Sequence, residues 1–387
     1  MFSKIKKQLD IYEQEMKVPG FDFIVYHDGE CVYRDYRGHS DYEGKVKMNG
    51  KERYNIYSAS KVVTCTTALK LYESGAFKLD DPLYLYMPEF REMSVRVGGN
   101  VVKAKNPITV KNLFTMTAGF NYNTDSAGIK AAIDATGGKC PTRKVIEYMA
   151  ADPLSFEPGT NWCYSLCHDV LAAFVEVVSG ERFGEYARKN VFEPLGMNST
   201  TYNLPDSELD TLMAQYRYND RTGVYEKCPT GKGILRFKFG PEYESGGAGC
   251  ISTVEDRIKL EEALRVDGKI LKAETLKLMT TNQLTEREFY YFQKDRPRIP
   301  GYGYGLGVWV GVGIPGREDF GWTGAAAAFH CVNRVHGYSA YFGEHVLNAP
   351  NFPTSLPLRA LLAEAFIERS GKGFVYPIDD RHGSEFV

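Results

Sequence analysis

The order of periodic segments predicts an α+β fold, an antiparallel β-sheet flanked by helices with a mainly helical subdomain inserted into it. Three observations carry that expectation. Strand-like runs cluster near the two ends of the chain, helical periodicities fill its middle, and 387 residues at 43% hydrophobic and 25% charged composition suffice for two subdomains. Residues 1–75 and 235–387 are expected to form the sheet subdomain and 76–234 the helical one, with a cleft between them.

The elements follow in chain order. Phe21 to His27 and Cys31 to Tyr36 flank Asp28-Gly29, a dipeptide suited to tight turns, which predicts an N-terminal hairpin. A helix opens near Ser58. Val62, Cys65, Leu69 and Tyr72 fall on one stripe of it, Ala68 and Leu71 support the stripe, and Gly75 stops it. Further helices are expected over Val110 to Met116 behind Thr109, Arg143 to Met149 behind Thr142, Val170 to Val178 ended by Gly180, and Phe183 to Val191. Ser252-Thr253-Val254-Glu255 has capping-box spacing for a helix reaching Val266. Gly305 to Val310, Ala326 to Asn333 and Tyr338 to Phe342 have strand composition and are expected to join the hairpin in one antiparallel sheet.

Composition and motifs exclude several function classes. A formal net charge of −2 with mixed signs argues against nucleic-acid and membrane-surface partners, and the basic run Lys4-Ile5-Lys6-Lys7 is short enough to be a solvated helix face. No run approaches the roughly 20 apolar residues that span a bilayer, and residues 1–18 lack the apolar centre of a secretory signal, so a cytoplasmic protein is expected. Eight cysteines then read as reduced, mostly buried thiols. Cys163, Cys167 and His168 could begin a zinc site, but no second ligand pair follows, and neither a metal nor an organic cofactor is expected. Gly311-Val312-Gly313-Ile314-Pro315-Gly316 fits the dinucleotide pattern yet runs into Arg317-Glu318-Asp319-Phe320, so it reads as a loop. Neither a Gly-x-Ser-x-Gly elbow nor a phosphate-binding Gly-Lys-Ser loop occurs.

The chemistry concentrates at Ser58-Ala59-Ser60-Lys61. Residues three apart on a helix lie one turn above each other, so Ser58 and Lys61 should share a cleft, with the hydroxyl at the positive end of the helix dipole. Ser3-Lys4-Ile5-Lys6 matches the same pattern, but it is read as solvated surface with no buried helix behind it. A plain helix-capping role for Ser58 is the competing reading.

Further segments decide between the two. In order they are Val18-Pro19-Gly20, Leu79-Asp80-Asp81-Pro82, Met87-Pro88-Glu89-Phe90, Ile108-Thr109-Val110 with Met116-Thr117-Ala118-Gly119, and Glu157-Pro158-Gly159-Thr160 before Tyr164-Ser165. Then come Pro194-Leu195-Gly196-Met197, Ser245-Gly246-Gly247-Ala248-Gly249, Gly303-Tyr304-Gly305-Leu306-Gly307 and Trp322-Thr323-Gly324. Over most of its length the chain thus resembles the serine β-lactamase and penicillin-binding-protein superfamily, in the class C β-lactamase-like branch that includes family VIII carboxylesterases.

The resemblance implies a β-lactamase/transpeptidase-like fold and roles for individual residues. Ser58 would form a covalent acyl-enzyme while Lys61 and Tyr164 share the proton transfers. Both side-chain types ordinarily titrate near pH 10, so a base role at neutral pH needs surroundings that favour one deprotonated form, and either residue could be the base. Backbone N–H groups of Ser58 and Ala325 would make the oxyanion hole. Two departures bear on substrate. Leu166 stands where the family usually has Asn, and Trp322 where β-lactamases have Lys or His, which removes charge-assisted hydrogen bonds to a β-lactam. Trp322, Thr323, Gly324 and Leu166 are therefore expected to line an apolar acyl or alcohol pocket, Trp322 otherwise being a packing residue and Leu166 the first core residue of the next helix.

The implied function is hydrolysis of small-molecule carboxylic esters, or amides, by an acyl-serine route. β-Lactamase or D-amino-acid peptidase activity is the alternative, and a non-catalytic binding or scaffolding member of the fold a further one. His168 and His330 lie near motif residues and could offer a conventional Ser–His base, although Lys61 already supplies a proton acceptor.

Overall fold

The computed structural model describes residues 2–228, 239–313 and 317–367. The expected subdomain boundary near 235, the loop residues 314–316 and the chain from 368 onward lie outside the described residues.

Seven strands form the central sheet, and the two ends of the chain supply them. From one edge the order is Glu30–Gly38, Gly20–His27, Tyr338–Glu344, Phe329–Asn333, Asp319–Thr323, Trp309–Gly311 and Tyr302–Tyr304, every neighbour antiparallel. The hairpin turns at Asp28-Gly29, both with positive φ (48° and 86°), the backbone that a right-twisted two-residue turn requires.

Alternation along the second strand explains why helices cover both faces of this sheet. Phe21, Phe23 and Val25 point to a core shared with Phe329, Cys331, Ala340 and Phe342, closed by Ile5, Leu9 and Tyr12 at the N-terminus and Leu358 and Leu362 at the C-terminus. Ile24 joins Val332, Trp322 and Tyr341 in the larger core on the other face, under the helices of the middle of the chain. A sheet buried on both faces reads as a near-continuous apolar run, as Phe21 to Val25 does.

The terminal helix corrects the reading of residues 3–6. Ser3–Asp10 is a helix continued by Ile11–Glu15, and Ile5, Leu9 and Tyr12 are at most 1% exposed against the sheet. The i, i+4, i+7 spacing of these three residues is the stripe that the short basic run obscures. Ser3 and Lys4 themselves face solvent.

The middle of the chain is helical in the predicted places. Val110–Thr115 has its capping box on Thr109 and Asn112, and Cys167–Ser179 ends in left-handed Gly180. Phe183–Ala187 runs into the π-turn Arg188–Phe192. Three local expectations differ from the structure. Thr142 is the first residue of its helix, and its hydroxyl instead accepts the Glu244 N–H at 2.7 Å. The helix Val254–Arg265 is capped by Thr253, whose side chain accepts the Asp256 N–H, because Ser252 ends a two-residue strand that pairs with Tyr54–Asn55. Gly305 to Val310 is not one strand. Only Trp309 and Val310 are strand, and residues 305–308 turn between Tyr302–Tyr304 and Trp309–Gly311, forced by Gly307 at φ 88°, where a β-carbon would lie 2.3 Å from Cys65 Sγ. Among the described residues no helix is long and apolar enough to cross a membrane.

Candidate active site

Ser58, expected in the first turn of a helix, lies two residues ahead of the helix Ser60–Glu73, in the 3-10 turn Tyr57–Ala59 that feeds it. That helix is buried on all sides over Ser60 to Leu69, so the predicted single stripe was too narrow. A central helix of this kind fixes its side chains rigidly, and Lys61 is 0% exposed. Tyr57 sits at φ 47°, a strained conformation for a bulky residue, immediately before the serine.

The structure brings Ser58, Lys61 and Tyr164 together. Tyr164 donates its phenolic hydrogen to Ser58 Oγ at 2.5 Å, and Lys61 Nζ stands 3.4 Å from the same oxygen. The ammonium also donates to the carbonyl of Gly247 at 2.7 Å and lies 4.6 Å from the centre of the Tyr164 ring.

The Trp322-Thr323-Gly324 segment ends an interior strand, but it overhangs its neighbour. Trp309–Gly311 pairs only as far as Gly321, so among the described residues no strand pairs with 322–324 on that side. Gly324 donates to Ala328 O at 2.7 Å and presses on Ile56 so closely that a β-carbon would lie 2.3 Å from its carbonyl oxygen. Glycine is needed there, and Ala325 beyond it is exposed.

Trp322 and Leu166, both expected to line a pocket, are buried. Trp322 is 3% exposed and packs on Tyr164 at 5.9 Å, Tyr304 at 5.2 Å and Trp309 at 5.4 Å. Leu166 is 4% exposed and caps the helix Cys167–Ser179 from within the core. Thr323 remains half-buried.

Neither histidine faces Ser58. His168 Nε2 lies 3.2 Å from the Phe114 carbonyl and 3.5 Å from Cys65 Sγ. Burial, with the charge of Lys61 added, pushes His168 down to about 3, so its ring is neutral. His330 Nδ1 is paired with Glu261 at 3.0 Å inside the core, and burial lowers its pKa as well. Cys163, Cys167 and His168 form no metal-binding group, and no cluster of three or more His, Cys, Asp or Glu side chains could hold a metal among the described residues. All eight cysteines are unpaired.

Sequence reasoning missed the rest of the box around Tyr164. Tyr122 stacks on its ring at 5.2 Å and 7°, and Arg296 places its guanidinium 4.6 Å from the ring centre, bound to Asp295 at 2.8 Å. Tyr122 lies three residues beyond Gly119 of the Met116 to Gly119 motif and could have been suspected from that. Arg296 lies in an Arg-Pro-Arg segment that carries no motif.

Fold and site together define the class, a serine hydrolase in which lysine and tyrosine, not histidine, flank the hydroxyl. The chain belongs to the Beta-lactamase family, whose model matches residues 9–350. It is 29% identical over 280 residues to Esterase EstB of Burkholderia gladioli, covering 67% of this chain and 68% of that protein. It is also 29% identical over 226 residues to a lovastatin esterase of Penicillium rubens, covering 56% of each. Among solved structures, EstCE1, described as a hydrolase with promiscuous acyltransferase activity, superposes with a TM-score of 0.76 at 23% identity, over 93% of this chain and 97% of that one. At that identity the likeness speaks for the fold alone.

Proposed function

We propose that the chain cleaves carboxylic esters of small molecules through an acyl-enzyme on Ser58. The observation that carries this reading is the pair of contacts on one hydroxyl, Tyr164 at 2.5 Å and Lys61 at 3.4 Å. Hydrolysis then runs in two halves. Lys61 and Tyr164 share the proton transfers, one of them taking the Ser58 proton while Oγ attacks the ester carbonyl. The resulting oxyanion accepts hydrogen bonds from the backbone N–H groups of Ser58 and Ala325. Collapse expels the alcohol, which leaves with that proton, and a water repeats the sequence to release the acid and restore Ser58.

The proposed division at 76–234 puts Ser58 and Trp322-Thr323-Gly324 on one side of the cleft and Tyr164 on the other. Apolar side chains at 166 and 322 favour an uncharged ester over a β-lactam, whose carboxylate would find no cation at 322. The names of the two curated esterases support the same preference. Eight unpaired cysteines suit a reducing compartment, and we place the protein in the cytoplasm.

A fluorophosphonate probe tests the nucleophile. It should label Ser58, labelling should vanish in Ser58→Ala, and an unlabelled parent protein would sink the proposal. Turnover of a short-chain aryl ester beside a chromogenic cephalosporin tests the substrate. Faster cephalosporin turnover would replace the esterase reading with a β-lactamase one.

A further inference from the structure

Lys61 is fully buried, and among the described residues no carboxylate pairs with it directly. A buried ammonium is costly to hold unless it is hydrogen-bonded and its charge balanced nearby. Its one short contact is with Gly247 O, at 2.7 Å. That carbonyl belongs to a turn wedged between two helices. Gly246 O accepts the Thr64 hydroxyl at 2.7 Å on one side, and on the other a β-carbon at 246 would lie 2.2 Å from the carbonyl oxygen of His168.

Asp169 anchors this turn. Its Oδ1 accepts the Ser245 hydroxyl at 2.6 Å and the Tyr243 phenol at 2.9 Å, and Ser245 Oγ accepts the Ala248 N–H at 3.0 Å. Its Oδ2 lies against Gly247, where an added β-carbon would stand 2.5 Å from that oxygen and 3.4 Å from Lys61 Nζ. Asp169 is 1% exposed. Burial raises its pKa, opposed by Ser245, the charge of Lys61 and Tyr243. Leu166, one turn earlier, supplies no polar group for the same purpose.

We propose that Asp169 is a positioning residue for Lys61: it fixes the Tyr243–Gly247 segment so that Gly247 O holds the ammonium beside Ser58, and its charge balances that ammonium across Gly247. The inference rests on the acyl-enzyme reading of Ser58 and Lys61.

The test is a double-mutant cycle in the full-length protein, read as the rate of fluorophosphonate labelling of Ser58 and as kcat and KM for an aryl ester. Asp169→Asn keeps the size of the side chain and removes its charge. It should lower kcat and the labelling rate by about 10²-fold, the scale of a small misplacement, while KM changes by less than about threefold. In a Lys61→Ala background the same substitution should cost nothing further, because Asp169 acts through Lys61. Ser245→Ala should give a smaller loss with the same non-additivity, and it carries the cycle if Asp169→Asn does not fold. An unchanged kcat in a folded Asp169→Asn protein, or losses that multiply in the double variant, would overturn the role of Asp169 alone. Failure of the parent protein to label would overturn the acyl-enzyme reading and this inference with it.

Discussion

Glu344 gives a stability prediction whose size can be worked from the structure. It ends the strand Tyr338–Glu344 opposite Phe21, is 1% exposed, and accepts one hydrogen bond, from Asn351 Nδ2 at 2.8 Å. Its other oxygen has no partner, and no cation pairs with it among the described residues. Burial pushes the carboxyl from the ordinary 4.5 up to about 8, so near neutral pH the folded protein holds a proton there that the unfolded chain releases. Stability therefore falls as pH rises between those two values, by about 1.4 kcal/mol per unit. Between pH 5 and pH 8 the loss amounts to about 3 kcal/mol. Glu344→Gln keeps an acceptor for Asn351 and removes the titration. Urea unfolding of both proteins, followed by tryptophan fluorescence at each pH, should show the variant gaining about 3 kcal/mol on the parent across that range. Other buried carboxyls, such as Asp22, which burial raises to about 7, cancel in the difference. A difference independent of pH would refute the reasoning, since any packing cost of the amide shifts the whole curve without tilting it.

Three further outcomes follow from the site and its supports. Tyr164→Phe keeps the ring stack and removes the hydroxyl 2.5 Å from Ser58, so ester turnover should fall by about 10² to 10⁴ with near-ultraviolet circular dichroism unchanged. Gly307→Ala puts a methyl group 2.3 Å from Cys65 Sγ at a φ of 88°, and the urea midpoint should drop by the equivalent of about 2 kcal/mol or more. Thr253→Ala should cost about 1 kcal/mol while Ser252→Ala leaves the helix start intact, which separates the observed cap from the one expected at 252.

Much of the architecture was legible because it rests on local chemistry. Asp28-Gly29, Thr109 with Asn112, and Gly180 each mark a turn or helix end through their own backbone requirements. The misplaced elements are those that long-range contacts decide. Whether Ser252 caps a helix depends on its pairing with Tyr54, almost 200 residues away, and whether Gly305 to Val310 is a strand depends on how closely Cys65 approaches Gly307. The same division holds in the site. Ser58 and Lys61 share a face because they are three residues apart, but the reach of Tyr164 to that face, the carbonyl of Gly247 and the ring of Tyr122 are tertiary.

Trp322 and Tyr122 both pack on the tyrosine. The Tyr164 ring lies nearly parallel to Tyr122, at 7°, and close to parallel with Trp322, at 23°, with the Lys61 and Arg296 cations each 4.6 Å from its centre. Such a ring cannot rotate without breaking several contacts worth about 1 kcal/mol each, so its hydroxyl stays at Ser58 before substrate arrives. A lysine or histidine at 322 would offer a donor to an anionic substrate and give up part of that stack. Arg296 does not restore the donor, because it is already bound to Asp295 and packed over the rings. A lactam carboxylate would forgo a charged hydrogen bond worth about 1.5 to 3 kcal/mol, roughly one to two powers of ten in rate, whereas a neutral ester forgoes nothing. On this argument the proposed preference for esters rests on the donor missing at 322, and restoring it by Trp322→His should narrow the gap between ester and cephalosporin turnover while lowering the ester rate.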